Sequence, residues 1–287
     1  MDILINYFKN NQINELEKEL NEIDIDLNLK GRFGCTLLHL ACIKGYFTIV
    51  QLLIKNSRVQ INISNKKGYT PFHFACGYGC AEAVDILLNN NLIQNGEVSS
   101  FDNRLKIVQL LMNDPRIEIN ALNKYGYTPF HLACETGNLD IIKILIKDQR
   151  VKINTFDNNG WSPFHSACEN ENLEIIKFLM KDPRIEINTF DKNGWTSFHL
   201  ICLIGKLKII NLFLSSNRKI NIKKQTTKNI QQYPSGTTGF DILKDRNITL
   251  EEIQKDKISN NNLFLFSTAD GNLEILKKLL PKKIKII

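Results

Sequence analysis

No stretch of this chain approaches the roughly 18 consecutive apolar residues that a bilayer-spanning helix needs, so no spanning segment is expected. Met1–Asn10 has neither the basic start nor the apolar core of a secretory signal, and no such leader is expected. Phosphate loops of the GxxxxGKS/T or GxGxxG kind are missing, which removes the usual sequence evidence for a nucleotide-binding enzyme. Histidine is scarce, at five residues, and tryptophan scarcer, at two. Acids are absent from 192–240, where the bases are Lys192, Lys206, Lys208, Arg218, Lys219, Lys223, Lys224 and Lys228.

The few histidines are informative because all five occupy one recurring phrase. It reads CTLLHLAC at 35–42, YTPFHFAC at 69–76, YTPFHLAC at 127–134, WSPFHSAC at 161–168 and WTSFHLIC at 195–202. His39 and His73 are 34 residues apart, as are His131 and His165, and His165 and His199; the gap from His73 to His131 is 58. A fixed period of this size marks a chain built by stacking one supersecondary unit, so architecture places these histidines. A catalytic or metal site is not read from them.

One unit shows how the sequence would fold. Thr128 stands at an N-cap, and Pro129 suits the first helical turn, where its missing N–H would be unpaired anyway. Phe130, Ala133 and Cys134 share a face. Gly137 suits the left-handed end of this first helix, and Leu139, Ile141, Ile142, Leu145 and Ile146 give a second helix its apolar stripe. Each helix is too short to stand alone, so stability is expected as a sum of unit and interface contributions. In the fourth phrase unit Glu171 replaces the inter-helix glycine, a cost of about 1 kcal/mol if that residue is left-handed.

The phrase, the preceding glycines (Gly34, Gly68, Gly126, Gly160, Gly194) and the following ones (Gly45, Gly79, Gly137, Gly205) resemble the ankyrin-repeat family over almost the whole chain. The resemblance implies an all-α repeat solenoid of short antiparallel helix pairs with projecting β-turn fingers, and a role in binding other proteins. The expected layout is one domain over 1–287. It runs through an N-terminal cap (1–33), repeats at 34–67 and 68–88, a truncated or inserted repeat at 89–123, and repeats at 124–157, 158–191 and 192–225. A degenerate repeat (226–261) and a C-terminal cap with a basic tail (262–287) close it.

The irregular places carry their own expectations. Residues 2–21 read as a capping helix pair with a polar outer face. Ala81–Leu88 reads as the second helix of the second repeat. Leu105–Met112 aligns at an offset of 34 with the next second helix, so a truncated repeat is favoured over a free loop. Asn89–Asn103 would be irregular or exposed, a docking element if flexible. Segments such as Lys181–Asn188 alternate Ile/Glu/Ile after Pro183 and suggest extended arms leading to the fingers. Gly236–Leu243 resembles the phrase with Asp241 in the histidine position, Thr249 and Glu252 could form a capping box, and 262–280 echoes a closing helix pair.

Two patterns imitate chemistry. His-x-x-Cys occurs five times, and two such pairs could in principle supply four zinc ligands. Pairs on neighbouring stacked helices would stand ~10 Å apart against metal–ligand distances of ~2.0–2.3 Å, so no metal and no cofactor is expected. The same stacking keeps Cys42, Cys76, Cys134, Cys168 and Cys202 beyond disulfide reach, which implies reduced thiols, a cytoplasmic or nuclear location and unused sequons at Asn62 and Asn247. Tyr233–Gly239 looks like part of the phosphate loop of adenylate-forming enzymes but lacks its Pro-Lys-Gly continuation, and a repeat turn is the expected role.

What remains is a binding surface. The residue after each finger glycine is Tyr69, Tyr127, Trp161 or Trp195, and the resemblance places this column on the partner-binding groove. The same rings could instead pack sideways on adjacent fingers and stiffen the row. Lys66, Lys67, Lys124, Tyr125, Asn158, Asn159, Lys192 and Asn193 flank the column at the turn tips. The resemblance also likens the arm residues Asn120, Asn154 and Asn188 to positions that asparaginyl hydroxylases modify. The expected function is a monomeric, non-catalytic scaffold, adaptor or inhibitor binding a partner protein. The alternative is contact of the basic C-terminal half, including the tail lysines Lys277, Lys278, Lys282, Lys283 and Lys285, with an anionic membrane or nucleic acid.

Overall fold

In the computed structural model, which describes residues 12–20, 25–31, 33–77, 101–221, 225–228, 233–246 and 248, each recurring phrase opens a short helix. The described helices are α1 (Ile13–Leu20), α2 (Leu37–Lys44), α3 (Phe47–Lys55), α4 (Pro71–Cys76), α5 (Phe101–Asn113), α6 (Pro129–Thr136), α7 (Leu139–Lys147), α8 (Pro163–Glu169), α9 (Leu173–Lys181), α10 (Ser197–Ile204), α11 (Leu207–Ser215) and α12 (Gly239–Asp245). The chain divides into two units, Met1–Asn158 and Asn159–Ile287. Each is an all-α repeat stack; among the described residues the only strand-like pairing is an isolated bridge between Phe190 and Thr196.

Local chemistry fixes where the helices start and stop. Thr70 and Thr128 are N-caps whose hydroxyl oxygens accept the backbone N–H of His73 and His131, and Pro71 and Pro129 fill the first helical position. Within Met1–Asn158 the phrase helices α2, α4 and α6 form one row, and α1, α3, α5 and α7 form another behind it. Phrase helices sit between neighbours on several sides, which is why Leu37–Ile43, Pro71–Cys76 and Pro129–Cys134 are all buried. Back-row helices bury only a stripe, such as Ile141, Ile142, Leu145 and Ile146 of α7. Burying each of Phe72, Phe74 and Phe130 contributes roughly 2–3 kcal/mol. In Asn159–Ile287, α8, α10 and α12 make the phrase row, with α9 and α11 behind.

The histidines tie one layer to the next. The Thr36 backbone N–H donates to His39 Nδ1 at 3.0 Å, and the ring proton, left on Nε2, is donated to the Tyr69 carbonyl at 3.0 Å. His73 repeats this with the Thr70 N–H at 3.1 Å and the Tyr127 carbonyl at 3.0 Å. Burial pushes the pKa of both rings down to about 4, against the partial support of those carbonyls. The thiols of Cys42, Cys76, Cys168 and Cys202 are fully buried, and the same desolvation raises their pKa.

The long histidine gap is described from Phe101 onward. Helix α5 packs against α4 and lies between α3 and α7, in the back-row position of the layer that α4 begins. The finger at Lys67 also meets the finger at Lys124 directly, the Lys124 N–H donating to the Lys67 carbonyl at 3.0 Å. Among the described residues no finger comes between those two, and α5 stands behind α4 in the second phrase unit. Packing decides the pairing, because a buried stripe of Ile107, Val108 and Leu111 needs both α3 and α7 as neighbours. The second helix expected at Ala81–Leu88, most of the 89–103 stretch, the first half of the N-terminal pair, the Thr249/Glu252 box and the closing pair at 262–280 lie outside the described residues.

The arms differ from the expectation: they are successive turns, not extended segments. Asp114, Asp148 and Asp182 each accept the N–H two residues on at 2.9 Å, and their carbonyls close turns to Ile117, Val151 and Ile185. A carboxylate that mimics a backbone turn, helped by Pro115 and Pro183, overrides the Ile/Glu/Ile alternation.

Glu171 adopts φ +61°, the left-handed conformation expected where a glycine was missing, and its carboxylate pairs with Lys206. The pair is substantially exposed and contributes little. Glu171→Gly is therefore expected to stabilise the Asn159–Ile287 unit by roughly 0.5–1 kcal/mol in urea unfolding monitored by tryptophan fluorescence. An unchanged or lowered midpoint would show that the ion pair outweighs the backbone strain.

Candidate interaction surface

Three of the fingers are built from an Asx turn at the base. Asn65 Oδ1 accepts from the N–H groups of Lys67 and Tyr69 at 2.9 Å, Asn123 Oδ1 from those of Tyr125 and Tyr127, and Asp191 Oδ1 from those of Asn193 and Trp195 at 2.8 Å. Each finger then donates one backbone bond to its predecessor: Lys66 to Phe33 and Asn158 to Tyr125 in the first unit, Lys192 to Asn159 and Thr227 to Asn193 in the second. Such a row presents its tips at a fixed spacing, so side chains at the tips are held without ordering cost at the moment of binding.

The aromatic column splits into two kinds. Tyr69 is only 7% exposed and Trp195 only 3%. Tyr69 stacks on Phe74 at 5.2 Å and meets Tyr125 edge-on at 6.5 Å, and Trp195 meets Tyr233 edge-on at 6.2 Å. A ring of the neighbouring finger packs on each of these two, so they stiffen the row. Tyr127 and Trp161 are half-buried, Tyr127 lying edge-on to His131 at 5.4 Å and Trp161 tilted over His165 at 6.1 Å. Lys66, Lys67, Lys124, Tyr125, Asn158, Asn159 and Lys192 are exposed, and Asn193 is half-buried.

In the second unit these residues converge. A cleft of about 460 Å³ is lined by Asn159, Trp161, Asp191, Lys192, Asn193, Trp195, Leu200, Leu203 and Lys228. Trp195 contributes its floor. The Trp195 indole Nε1 is buried and has no acceptor among the described residues.

The look-alike phosphate loop folds as a finger. Gly236 donates to the Thr226 carbonyl at 2.8 Å, Thr226 donates to the Thr237 carbonyl at 3.0 Å, and Thr238 caps α12 with Asp241 taking the capping-box place of the histidine. A cavity of about 660 Å³ beside it is flanked by Asp241 and Asp245, whose carboxylates repel a phosphate. Among the described residues no three His, Cys, Asp or Glu side chains form a metal-sized group, and no helix is long and apolar enough to cross a membrane.

These stacked, capped helix pairs with glycine-ended fingers have a counterpart among protein families. A model for ankyrin repeats matches the chain in three copies, over 4–102, 96–191 and 157–226. The chain belongs to the ankyrin-repeat family. No curated protein matches it. Ankyrin repeats are generally protein–protein interaction modules.

Two ankyrin-layer features escaped sequence reasoning although the period carried them. Asn28, Asn62 and Asn120 each use both ends of the amide to bridge layers: Asn120 donates to the Arg150 carbonyl at 2.7 Å and accepts from Lys152 at 2.8 Å. Asn188 does the same with Lys219 and Asn221. Arg116 and Arg150 each grip the aspartate two residues back and reach a carbonyl at the end of the preceding back-row helix, Ile54 and Met112 respectively. Those guanidiniums hold Asp114 and Asp148 below the usual carboxylate range. Arginines at 116, 150, 184 and 218 recur every 34 residues, and that recurrence was the available signal.

Proposed function

We propose that this ankyrin-repeat chain is a non-catalytic adaptor, scaffold or inhibitor that holds a partner protein against its finger tips and phrase helices. The observation that carries the reading is the cleft in Asn159–Ile287, where half-buried Trp161 joins Leu200, Leu203 and exposed lysines on a pre-stiffened row. Tyr127, Lys66, Lys67, Lys124, Tyr125 and Asn158 extend the same kind of surface on the first unit. Buried, desolvated thiols support a reducing location, cytoplasmic or nuclear, and the protein acts as a monomer.

Affinity purification with mass spectrometry, comparing the wild type with Trp161→Ala, tests this. The expected result is a partner whose recovery falls roughly tenfold or more in the variant while the melting temperature barely moves. Binding that is indifferent to Trp161→Ala but collapses with ionic strength would favour the basic C-terminal half as an anion-binding surface instead. Two of its cations are already engaged, Lys206 by Glu171 and Arg218 by the Asp182 and Ile185 carbonyls.

A further inference from the structure

We infer that the cleft of Asn159–Ile287 receives an acidic segment of the partner protein carrying one large apolar side chain. This rests on the interaction reading above and specifies the chemistry of the guest. Three observations converge on it. The walls are apolar where Trp161, Leu200 and Leu203 stand half-exposed, giving a slot of about 460 Å³, the volume of one or two large side chains rather than of a folded surface.

The rim is positive. Lys192 and Lys228 are exposed, sit on adjacent stacked fingers, and take part in none of the ion pairs among the described residues. The one acid in the lining, Asp191, is buried with its carboxylate turned to the N–H groups of Asn193 and Trp195 and the Asn193 amide. No other acid occurs from 192 to 240, so nothing on these fingers competes with a guest carboxylate for the two ammonium groups.

The floor is apolar too. Trp195 lines the slot while only 3% exposed, with its indole nitrogen buried out of a guest's reach. A nucleic acid or membrane surface needs a continuous track of free cations, and here Lys206 and Arg218 are taken up by the protein itself. Two unpaired lysines flanking an aromatic slot match alternating acidic and apolar side chains instead.

The test is selection of a phage-displayed library of random peptides, about a dozen residues long, on the full chain, run in parallel on Lys192→Glu/Lys228→Glu and on Trp161→Ala. Wild-type pools are expected to be enriched in Phe, Leu or Trp flanked by Asp or Glu. A selected peptide, followed by fluorescence anisotropy, should lose roughly tenfold or more in affinity against either variant and shift the tryptophan emission of the wild type. Pools with no acidic enrichment, an empty selection, or acidic peptides indifferent to the charge reversal would overturn the inference. So would tighter binding of a labelled oligodeoxynucleotide, or of phosphatidylserine/phosphatidylcholine vesicles, that survives Trp161→Ala. A purified partner that is lost with Trp161→Ala yet unaffected by Lys192→Glu/Lys228→Glu would leave the interaction reading standing and remove only the acidic guest.

Discussion

Acidification from about pH 7 to about pH 4.5 should strip several kcal/mol from the Met1–Asn158 stack. His39 and His73 have an ordinary pKa of 6.5 when the chain is unfolded and about 4 when buried. Above pH 6.5 both states leave the rings neutral and the stability contribution is complete. As the pH falls towards 4 the unfolded chain takes up two protons that the folded stack refuses, so the folded state loses ground across that window and no further below it. Each ring accounts for up to roughly 3 kcal/mol, and together they rival the total stability of a small domain. Asp114 and Asp148, held low by Arg116 and Arg150, lose their contribution only at more acidic pH, so they do not blur the result.

The physical reason is specific to the layer joint. A protonated ring would carry a hydrogen on Nδ1, where the Thr36 or Thr70 N–H now donates, so protonation breaks the capping box as well as burying a charge. Hydrogen exchange over 37–44 and 71–76 as a function of pH measures this directly. The double variant His39→Gln/His73→Gln keeps an N3 acceptor for each cap and removes both rings, so its loss of protection between about pH 7 and about pH 4.5 should be much smaller than the wild type's. A wild-type loss no larger than the variant's would show that the rings are not held neutral by burial.

What the sequence made legible follows from how local each cause is. Caps, first-turn prolines and the apolar stripe of Leu139–Ile146 act within a few residues, so they were readable from Thr128, Pro129 and the spacing itself. The left-handed Glu171 was readable for the same reason. The arms misled because the Asx turn at Asp148 competes with a weak alternation and wins through a single carboxylate. The fates of Tyr69 and Trp195 were not readable at all: they occupy the same column as Tyr127 and Trp161, and only the finger laid against each ring decides whether it is covered. Asn120 and Arg150 looked like ordinary solvated polar residues, since a side chain that bridges to the next layer has no signature within its own.

Gly68→Ala should cost the stack far more than Gly236→Ala, which supplies its control. Both glycines are left-handed, at φ +86° and +90°. An added Cβ at Gly236 meets nothing within 4 Å, whereas at Gly68 it falls 2.7 Å from the backbone N of Lys124 and 3.0 Å from the Asn123 Cα. Gly236→Ala therefore carries only the left-handed penalty, about 1–2 kcal/mol. Gly68→Ala adds displacement of a rigid neighbour and the loss of the Lys124 to Lys67 hydrogen bond, a further ~1–3 kcal/mol. Backbone is the obstacle, so no side chain can swing away to relieve it. Urea unfolding should rank the two substitutions in that order, with hydrogen-exchange protection across 123–128 falling in Gly68→Ala. Equal costs for the two would mean that the fingers stand apart in solution, and with them would go the claim that their tips are presented in fixed register.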